Sequence, residues 1–236
     1  MTDAHCHIVR GEGRAFLASP FDAAPREGDV AFFGFHPWDF ADGGELGADA
    51  LAELGRKLAA NPGAGVGEIG LDRLKVKTIP DGMRRAFREQ LALAAEFGRA
   101  VVLHGAKCWG ETLRECRPYA GRIPAFLFHG FSRSGGLLPD IAKLNGFISV
   151  GPAIMNSHAV NYRELVKAIP EDMILVESDA TAAAAADTPP IEEIARATAD
   201  ARGASMEDFA ETLERNAVKF AFSNQPRQTS RPTLAF

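Results

Sequence analysis

The sequence predicts an α/β fold in which a parallel sheet closes into a TIM-like β/α barrel. Short apolar runs rich in Val, Ile and Phe alternate along the chain with longer stretches whose apolar residues recur every three or four positions. The first pattern is typical of buried parallel strands and the second of amphipathic helices. Seven or eight such units indicate a closed barrel or a near relative, and we count seven strands in this chain.

The predicted strands and helices follow one another in alternation. The strands lie near residues 2–8, 30–36, 64–69, 100–105, 124–130, 146–150 and 173–178. The helices lie near residues 46–60, 81–97, 109–117, 134–144, 160–168, 190–200 and 205–221. The helix over 81–97 has the clearest pattern, because Phe87, Leu91 and Ala94 share one face and charged residues occupy the other.

Composition favours one ordinary globular domain. We predict a single barrel domain over residues 1–222 and a polar, proline-bearing tail over 223–236. The hydrophobic fraction of 46% and the charged fraction of 24% are those of a soluble protein. No stretch approaches the ~18 to 20 consecutive apolar residues of a membrane span, and the N-terminus lacks the pattern of a signal peptide. A cytoplasmic protein without membrane association is therefore expected.

Charge and cysteine content exclude two further classes. The formal net charge of −5 provides no extended basic surface for wrapping a long nucleic acid. Arg84, Arg85 and Arg88 do cluster, but a solvated helix face is the simpler interpretation. Three scattered cysteines without a CxxC pair argue against a disulfide framework or a thiolate zinc site.

Histidines and carboxylates stand where the predicted strands end. A single histidine there is more often structural, but five of the six histidines occupy such positions, and catalytic groups of barrels sit at the carboxyl ends of strands. A shared site is the economical interpretation. The strand-end residues are His5, His7, His36, Glu68, Asp72, His104, His129, Glu177 and Asp179.

This combination of side chains is typical of a metal centre. His5 and His7 are two residues apart, so both point to one face of a strand, and Asp3 shares that face as a hydrogen-bond partner or as packing. Imidazole and carboxylate ligands suit transition ions better than a calcium cage. Because the ligands outnumber those of one tetrahedral ion, two divalent ions bridged by a carboxylate are predicted, with Zn²⁺, Mg²⁺ or Mn²⁺ as candidates.

Several segments also resemble a known family in order. They are DAHCH at 3–7, GFHPW at 34–38, GEIGLD at 67–72, VVLHG at 101–105, FLFHGFSRS at 126–134 and ILVESDA at 174–180. With the closing segment LERNAVKFAF, they make the chain similar, from residue 3 to about residue 222, to the TatD-type metal-dependent hydrolases. Many members of that family, which belongs to the amidohydrolase-like barrel superfamily, are deoxyribonucleases.

The resemblance implies a role for each matching residue. His5 and His7 would bind one metal, His104 and His129 the other, and Glu68 both. Asp179 would bind metal and orient or deprotonate the attacking water, so Glu68 and Asp179 are the predicted catalytic residues. Asp72 and Glu177 are expected to be structural. The candidates for substrate binding are His36, Lys107 and Arg133, although His36 could instead brace its loop through Pro37 and Trp38.

The chain departs from the family pattern in two important places. Only about thirty residues separate His7 from His36, so one strand and one helix are expected to be missing. This predicts a distorted barrel, either of seven strands or closed by irregular chain. Ala106 also stands where the family often has an arginine, and Lys107 is expected to take over with a less directional charge.

Three functions stay open at this point. The first is a deoxyribonuclease acting on DNA through a two-metal-activated water. The second is a metal-dependent hydrolase of a small ester, amide or phosphate, which the shortened N-terminal region favours. The third, a non-catalytic metal-binding scaffold, is disfavoured because all the ligand positions are intact.

Overall fold

Eight parallel strands form the centre of the molecule in the computed structural model, which describes residues 1–18, 25–132 and 135–223. Each strand pairs with the next in chain order, which is the topology of a TIM-like barrel. The strands are β1 (Asp3–Cys6), β2 (Ala15–Ala18), β3 (Val30–Phe33), β4 (Gly65–Asp72), β5 (Val101–Ala106), β6 (Phe126–Phe128), β7 (Gly146–Val150) and β8 (Ile174–Val176).

Backbone hydrogen bonds between the ends of the first and last strands bring the two edges of the sheet together. The N–H of Asp179 donates to the carbonyl of His5, and the N–H of His7 donates to the carbonyl of Ala180. The segment that follows β8 therefore lies beside the end of β1. This contact places two of the predicted site segments next to each other.

Helices follow most of the strands and cover the outside of the sheet. Gly98 ends α2 in the left-handed conformation that favours glycine, at φ 62°. Ser205 begins α7 as an N-cap whose hydroxyl accepts from the N–H of Asp208. The helices are α1 (Ala48–Ala60), α2 (Asp81–Phe97), α3 (Trp109–Cys116), α4 (Leu138–Ala142), α5 (Val160–Ala168), α6 (Ile191–Arg202) and α7 (Met206–Phe222).

Alternate residues of the strands divide the core into two layers. In β5, Val102 belongs to an inner cluster, whereas Val101 and Leu103 belong to an outer cluster that contacts the helices. This period of two is expected of a barrel strand whose faces are both buried. The inner cluster also contains Phe220 of α7, so this last helix packs against the barrel interior. The inner cluster comprises Ala4, Phe16, Phe32, Ala100, Val102, Ala125, Leu127, Phe147, Leu175, Ala217 and Phe220.

The expectation of a seven-stranded barrel is wrong, because β2 supplies an eighth strand. Its sequence, AFLA, pairs in parallel with β1 on one side and with β3 on the other. What the shortened region lacks, within the described residues 7–14 and 25–29, is a helix. The barrel thus keeps its strand number while its connection between β1 and β2 is reduced to a loop.

The predicted basic cluster on α2 is paired with carboxylates. Arg84 contacts Glu111 and Glu115, and Arg88 contacts Glu115 through two hydrogen bonds. Arg85 pairs with Glu45. These contacts agree with the interpretation of a solvated helix face.

Residues 182–187, which lie in the alanine-rich segment TAAAAADTPP after β8, form turns. Apart from Ser223, the predicted tail lies outside the described residues. Within the part of the chain that the structure describes, no helix has the length and apolar character needed to cross a membrane.

Candidate metal centre

Glu68, in the middle of β4, is the residue around which the predicted ligands gather. Its side chain is only 4% exposed. Oxygen Oε2 lies 3.3 Å from Nε2 of His5 and 3.5 Å from Nε2 of His7. One oxygen of this carboxylate therefore faces the two histidines from the end of β1.

The other oxygen of Glu68 faces a second set of imidazoles. Oε1 lies 2.6 Å from Nδ1 of His104 and 2.6 Å from Nε2 of His129. Nε2 of His36 is 3.6 Å from the same oxygen. His104 and His129 follow the inner-cluster residues Val102 and Leu127 by two positions, which explains why both point inward.

Asp179 joins the centre from the loop that follows β8. Its Oδ1 lies 3.7 Å from Nε2 of His5 and 3.6 Å from Nε2 of His7, and its side chain is 48% exposed. The residue has a φ of 50°, a left-handed conformation that is uncommon for residues other than glycine. The hydrogen bond from its N–H to the carbonyl of His5 helps to hold this conformation.

Asp3 supports this loop and does not contact the imidazole rings. Its carboxylate accepts hydrogen bonds from both the N–H and the hydroxyl of Ser178, the residue before Asp179. Burial raises the pKa of Asp3 to about 6, although the hydrogen bonds from Ser178 oppose this shift. Of the two roles expected for Asp3, the structure shows a hydrogen-bond partner, and its carboxylate accepts from the chain before Asp179 and from the backbone N–H of His5.

Asp72 and Glu177 contact the outer sides of the second set of histidines. Oδ2 of Asp72 lies 2.9 Å from Nε2 of His104 and accepts a hydrogen bond from the indole of Trp38. Oε1 of Glu177 lies 3.5 Å from Nδ1 of His129. Carboxylates in such places orient a metal-binding imidazole and raise its basicity. The contacts agree with the structural role expected for both residues.

The charges in the centre are strongly coupled. Burial would raise the pKa of Glu68, but the facing imidazoles of His129 and His5 outweigh it and hold this pKa well below its ordinary value. Burial opposes charge on His129, yet Glu68 and Glu177 raise its pKa well above its ordinary value. Positive charge in this cavity therefore stabilises the carboxylates. Protons on the imidazoles or bound cations can supply this charge.

The donor set fits divalent cations. Three overlapping groups have ligand atoms within 4.8 Å of one another: His5 with His129 and Asp179, His5 with His7 and Glu68, and His36 with Glu68 and His104. The buried Nε2 of His5 has no hydrogen-bond partner among the described residues. A buried polar atom is rarely left unpaired, so an ion at this nitrogen would satisfy it.

The three predicted substrate-binding residues have different positions. His36 faces Glu68 and also braces its loop, since its Nδ1 accepts from the N–H of Trp38 at 3.2 Å. Lys107 is exposed on the loop after β5 and lines a neighbouring depression with Trp109 and Glu111. Arg133 lies outside the described residues.

The centre opens into a cavity of about 480 Å³ at the carboxyl ends of the strands. Trp38, Asp39 and Thr181 also line the cavity, although none of them is a strand-end histidine or carboxylate. The signal for Trp38 was its place two residues after a strand-end histidine. The cavity is lined by His7, His36, Trp38, Asp39, Glu68, His104, His129, Asp179 and Thr181.

Solved structures share this barrel. The crystal structure of YjjV, a TatD homologue from Escherichia coli K12, has a TM-score of 0.75 at 20% identity and covers 93% of this chain and 96% of its own. A TatD family hydrolase from Entamoeba histolytica has a TM-score of 0.71 at 13% identity and covers 94% and 98%. At such identities the likeness concerns the fold.

Curated proteins and a family model extend the comparison to sequence. "3'-5' ssDNA/RNA exonuclease TatD" of Klebsiella pneumoniae is 34% identical over 149 residues, which are 62% of this chain and 55% of that protein. "Uncharacterized metal-dependent hydrolase YabD" of Bacillus subtilis is 28% identical, over 63% of this chain and 57% of that protein. The alignments thus span little more than half the length of these relatives. The family model described as TatD related DNase matches residues 21–221, and the chain therefore belongs to the TatD related DNase family.

Proposed function

We propose that the chain is a metal-dependent hydrolase of phosphoester bonds that acts on DNA. The observation that carries the proposal is the division of the Glu68 carboxylate between two sets of imidazoles. A carboxylate with one oxygen toward each set is the ligand that would bridge two ions. Relatives named as metal-dependent hydrolase and as ssDNA/RNA exonuclease support the same chemistry and substrate.

The proposed ligands divide in accordance with the geometry. His5, His7 and Asp179 would hold one ion together with Oε2 of Glu68. His104 and His129 would hold the other with Oε1 of the same carboxylate. Paired divalent ions, when bound, lower the pKa of a water and stabilise charge on a phosphoryl oxygen. The histidines have to be neutral to act as ligands, so ions and protons compete for these nitrogens.

Asp179 is the proposed proton acceptor for the attacking water. Its carboxylate is half-exposed toward the cavity, whereas Glu68 is buried, so of these two Asp179 is the one that can reach solvent. The hydrogen bonds of Ser178 and Asp179 to β1 fix its backbone. A positioned general base contributes about 10² to 10⁴-fold to a rate.

A small-molecule ester, amide or phosphate is the second candidate substrate. One observation favours it: among the described residues, no lysine or arginine lines the cavity. Nucleic-acid binding draws much of its affinity from cations that contact phosphates.

The cytoplasmic location inferred from the sequence stays a prediction.

The test is hydrolysis of an end-labelled single-stranded DNA oligonucleotide and of a small phosphodiester, with Mg²⁺, Mn²⁺ or Zn²⁺ added. We expect metal-dependent shortening of the oligonucleotide. Asp179→Asn should reduce the rate by about 10² to 10⁴-fold. Asp187→Asn, which changes an exposed carboxylate in the same loop, is the matched control and should keep the rate.

Other outcomes would change the proposal in defined ways. Cleavage of the small phosphodiester alone would make the small-molecule hydrolase the better description. Full activity of Asp179→Asn would exclude this residue as the proton acceptor. Measurement of bound metal in the wild type, by elemental analysis, tests separately whether two ions bind per chain.

A further inference from the structure

Trp38 is an exposed aromatic side chain at the edge of the metal centre. It lies in the 3-10 turn Pro37–Phe40, shortly after β3, and its side chain lines the cavity. The residue is 54% exposed, whereas Trp109, the other tryptophan of the chain, is 4% exposed and packs in the core. A large apolar surface beside a polar centre needs an explanation, because most tryptophans are well buried.

The orientation of this indole is fixed relative to the metal ligands. Its Nε1–H donates to Oδ2 of Asp72 at 2.7 Å, and that oxygen lies 2.9 Å from Nε2 of His104. The ring centroid lies 4.9 Å from that of His36 and 6.5 Å from that of His104. The hydrogen bond uses only the edge of the indole, so bracing Asp72 does not by itself account for an exposed ring.

A positively charged side chain contacts the indole ring of Trp38. Nζ of Lys75 lies over the indole at 5.3 Å from its centroid. In the described part of the chain, no carboxylate lies within 4.0 Å of this ammonium group, although several other basic residues are paired. Among the described residues no lysine or arginine lines the cavity, so Lys75 brings a permanent positive charge to its edge.

We propose that Trp38 is a substrate-binding residue that stacks on the nucleobase next to the scissile phosphate. This inference rests on the proposed nuclease function and names the part of the substrate, a nucleobase, that Trp38 would contact. Stacking on an aromatic ring accepts any base and is a common means of holding single-stranded nucleic acid. Contact with an exposed ammonium is the weaker interaction, so Lys75 can yield the ring to a base and remain beside its phosphate.

The first test measures binding without turnover. Metal-free protein in EDTA is titrated with a single-stranded oligonucleotide and, in parallel, with an abasic oligonucleotide of equal length. We expect the base-bearing strand to quench the fluorescence of Trp38, while the buried Trp109 provides the residual emission seen in Trp38→Phe. Equal quenching by both strands, or binding detected by anisotropy without quenching, would overturn the proposal, as would no binding of either strand.

The second test separates stacking from positioning of the metal ligands. Trp38→Ala should weaken kcat/KM on the oligonucleotide, mainly through KM, by roughly 5- to 150-fold more than on a phosphodiester without a base. Trp38→Phe lacks the hydrogen bond to Asp72 but keeps an aromatic face, so it should recover most of this difference. An equal loss on both substrates, or no recovery by Phe, would show that Trp38 acts only through Asp72.

The two tests also distinguish this inference from the function on which it rests. If the wild type cleaves no DNA with any metal, the proposed nuclease function fails. Quenching of Trp38 by the base-bearing strand alone would then still support a nucleobase-binding site. If DNA is cleaved and neither quenching nor substrate discrimination depends on Trp38, the stacking inference fails by itself.

Discussion

Carboxylates that contact the proposed metal ligands or their neighbours hold single residues of the centre in position. Asp3 holds Ser178 next to Asp179, Glu177 contacts His129, and Asp72 contacts His104. None of these three would be a ligand in the proposed assignment, but each contacts a ligand or its neighbour. The affinity of the centre for metal ions should therefore depend on residues outside the ligand set.

Asp72→Asn is expected to weaken metal binding. The amide keeps an oxygen that can accept from the N–H groups of Leu74 and Lys75, which Asp72 binds through Oδ1. It removes the negative charge beside His104. Loss of such a partner typically costs about 10- to 100-fold in metal affinity.

Competition with a fluorescent chelator measures this affinity directly. Asp42→Asn is the matched control, because its oxygen also accepts from a backbone N–H, that of Gly44, in an exposed loop. Unchanged affinity in Asp72→Asn would mean that His104 needs no help from this carboxylate.

At the scale of elements, β4 and β5 approach each other closely, and this limits the residue that one position of β4 can hold. A Cβ atom built on Gly70 would lie 1.9 Å from the carbonyl oxygen of His104 in β5. The backbone of Gly70 has a φ of 155°. Both observations indicate that only glycine fits at position 70 of this strand.

Gly70→Ala should therefore destabilise the protein. The clash involves backbone, which cannot move aside without disturbing His104, and overpacking of this kind costs about 1–3 kcal/mol or more. Chemical denaturation gives the free energy of unfolding.

Gly55→Ala in α1 is the contrasting control. Its Cβ would meet only the side chain of Leu93 at 3.9 Å, and alanine in place of glycine inside a helix stabilises by about 0.5–1 kcal/mol. Equal effects of the two substitutions would contradict the close approach of β4 and β5.

For the whole molecule, four phenylalanines fill the barrel interior together. Phe220 of α7 stacks on Phe32 with centroids 5.7 Å apart and lies 5.5 Å from both Phe16 and Phe147. These rings come from three strands and the last helix. Removing one of these rings should destabilise the entire barrel, because the neighbouring side chains cannot fill the cavity that it leaves.

Phe220→Ala should lower the free energy of unfolding by about 3–5 kcal/mol. Val218→Ala lies in the same helix at a position that is 36% exposed, and a substitution there should change stability by about 0.5 kcal/mol or less. Thermal or chemical unfolding followed by circular dichroism measures both. A similar loss in the two variants would show that α7 does not anchor the barrel through Phe220.

The sequence by itself determined the barrel class, most helix bounds and the residues that meet in the centre. Periodicity and strand-end position are local signals, and chain order brings parallel strand ends to one side of a barrel. The helix predicted over 81–97 has those bounds in the structure, and the six predicted metal ligands, among them His5, Glu68 and Asp179, lie in one cluster.

Only the tertiary structure decided the strand number, the supporting contacts and which element the shortened N-terminal region lacks. AFLA is a four-residue apolar run, and its strand conformation depends on pairing with β1 on one side and β3 on the other. The contacts of Asp3 with Ser178 and of Asp72 with Trp38 join residues 175 and 34 positions apart. Such partners are fixed by packing in three dimensions, and no local pattern in the sequence encodes them.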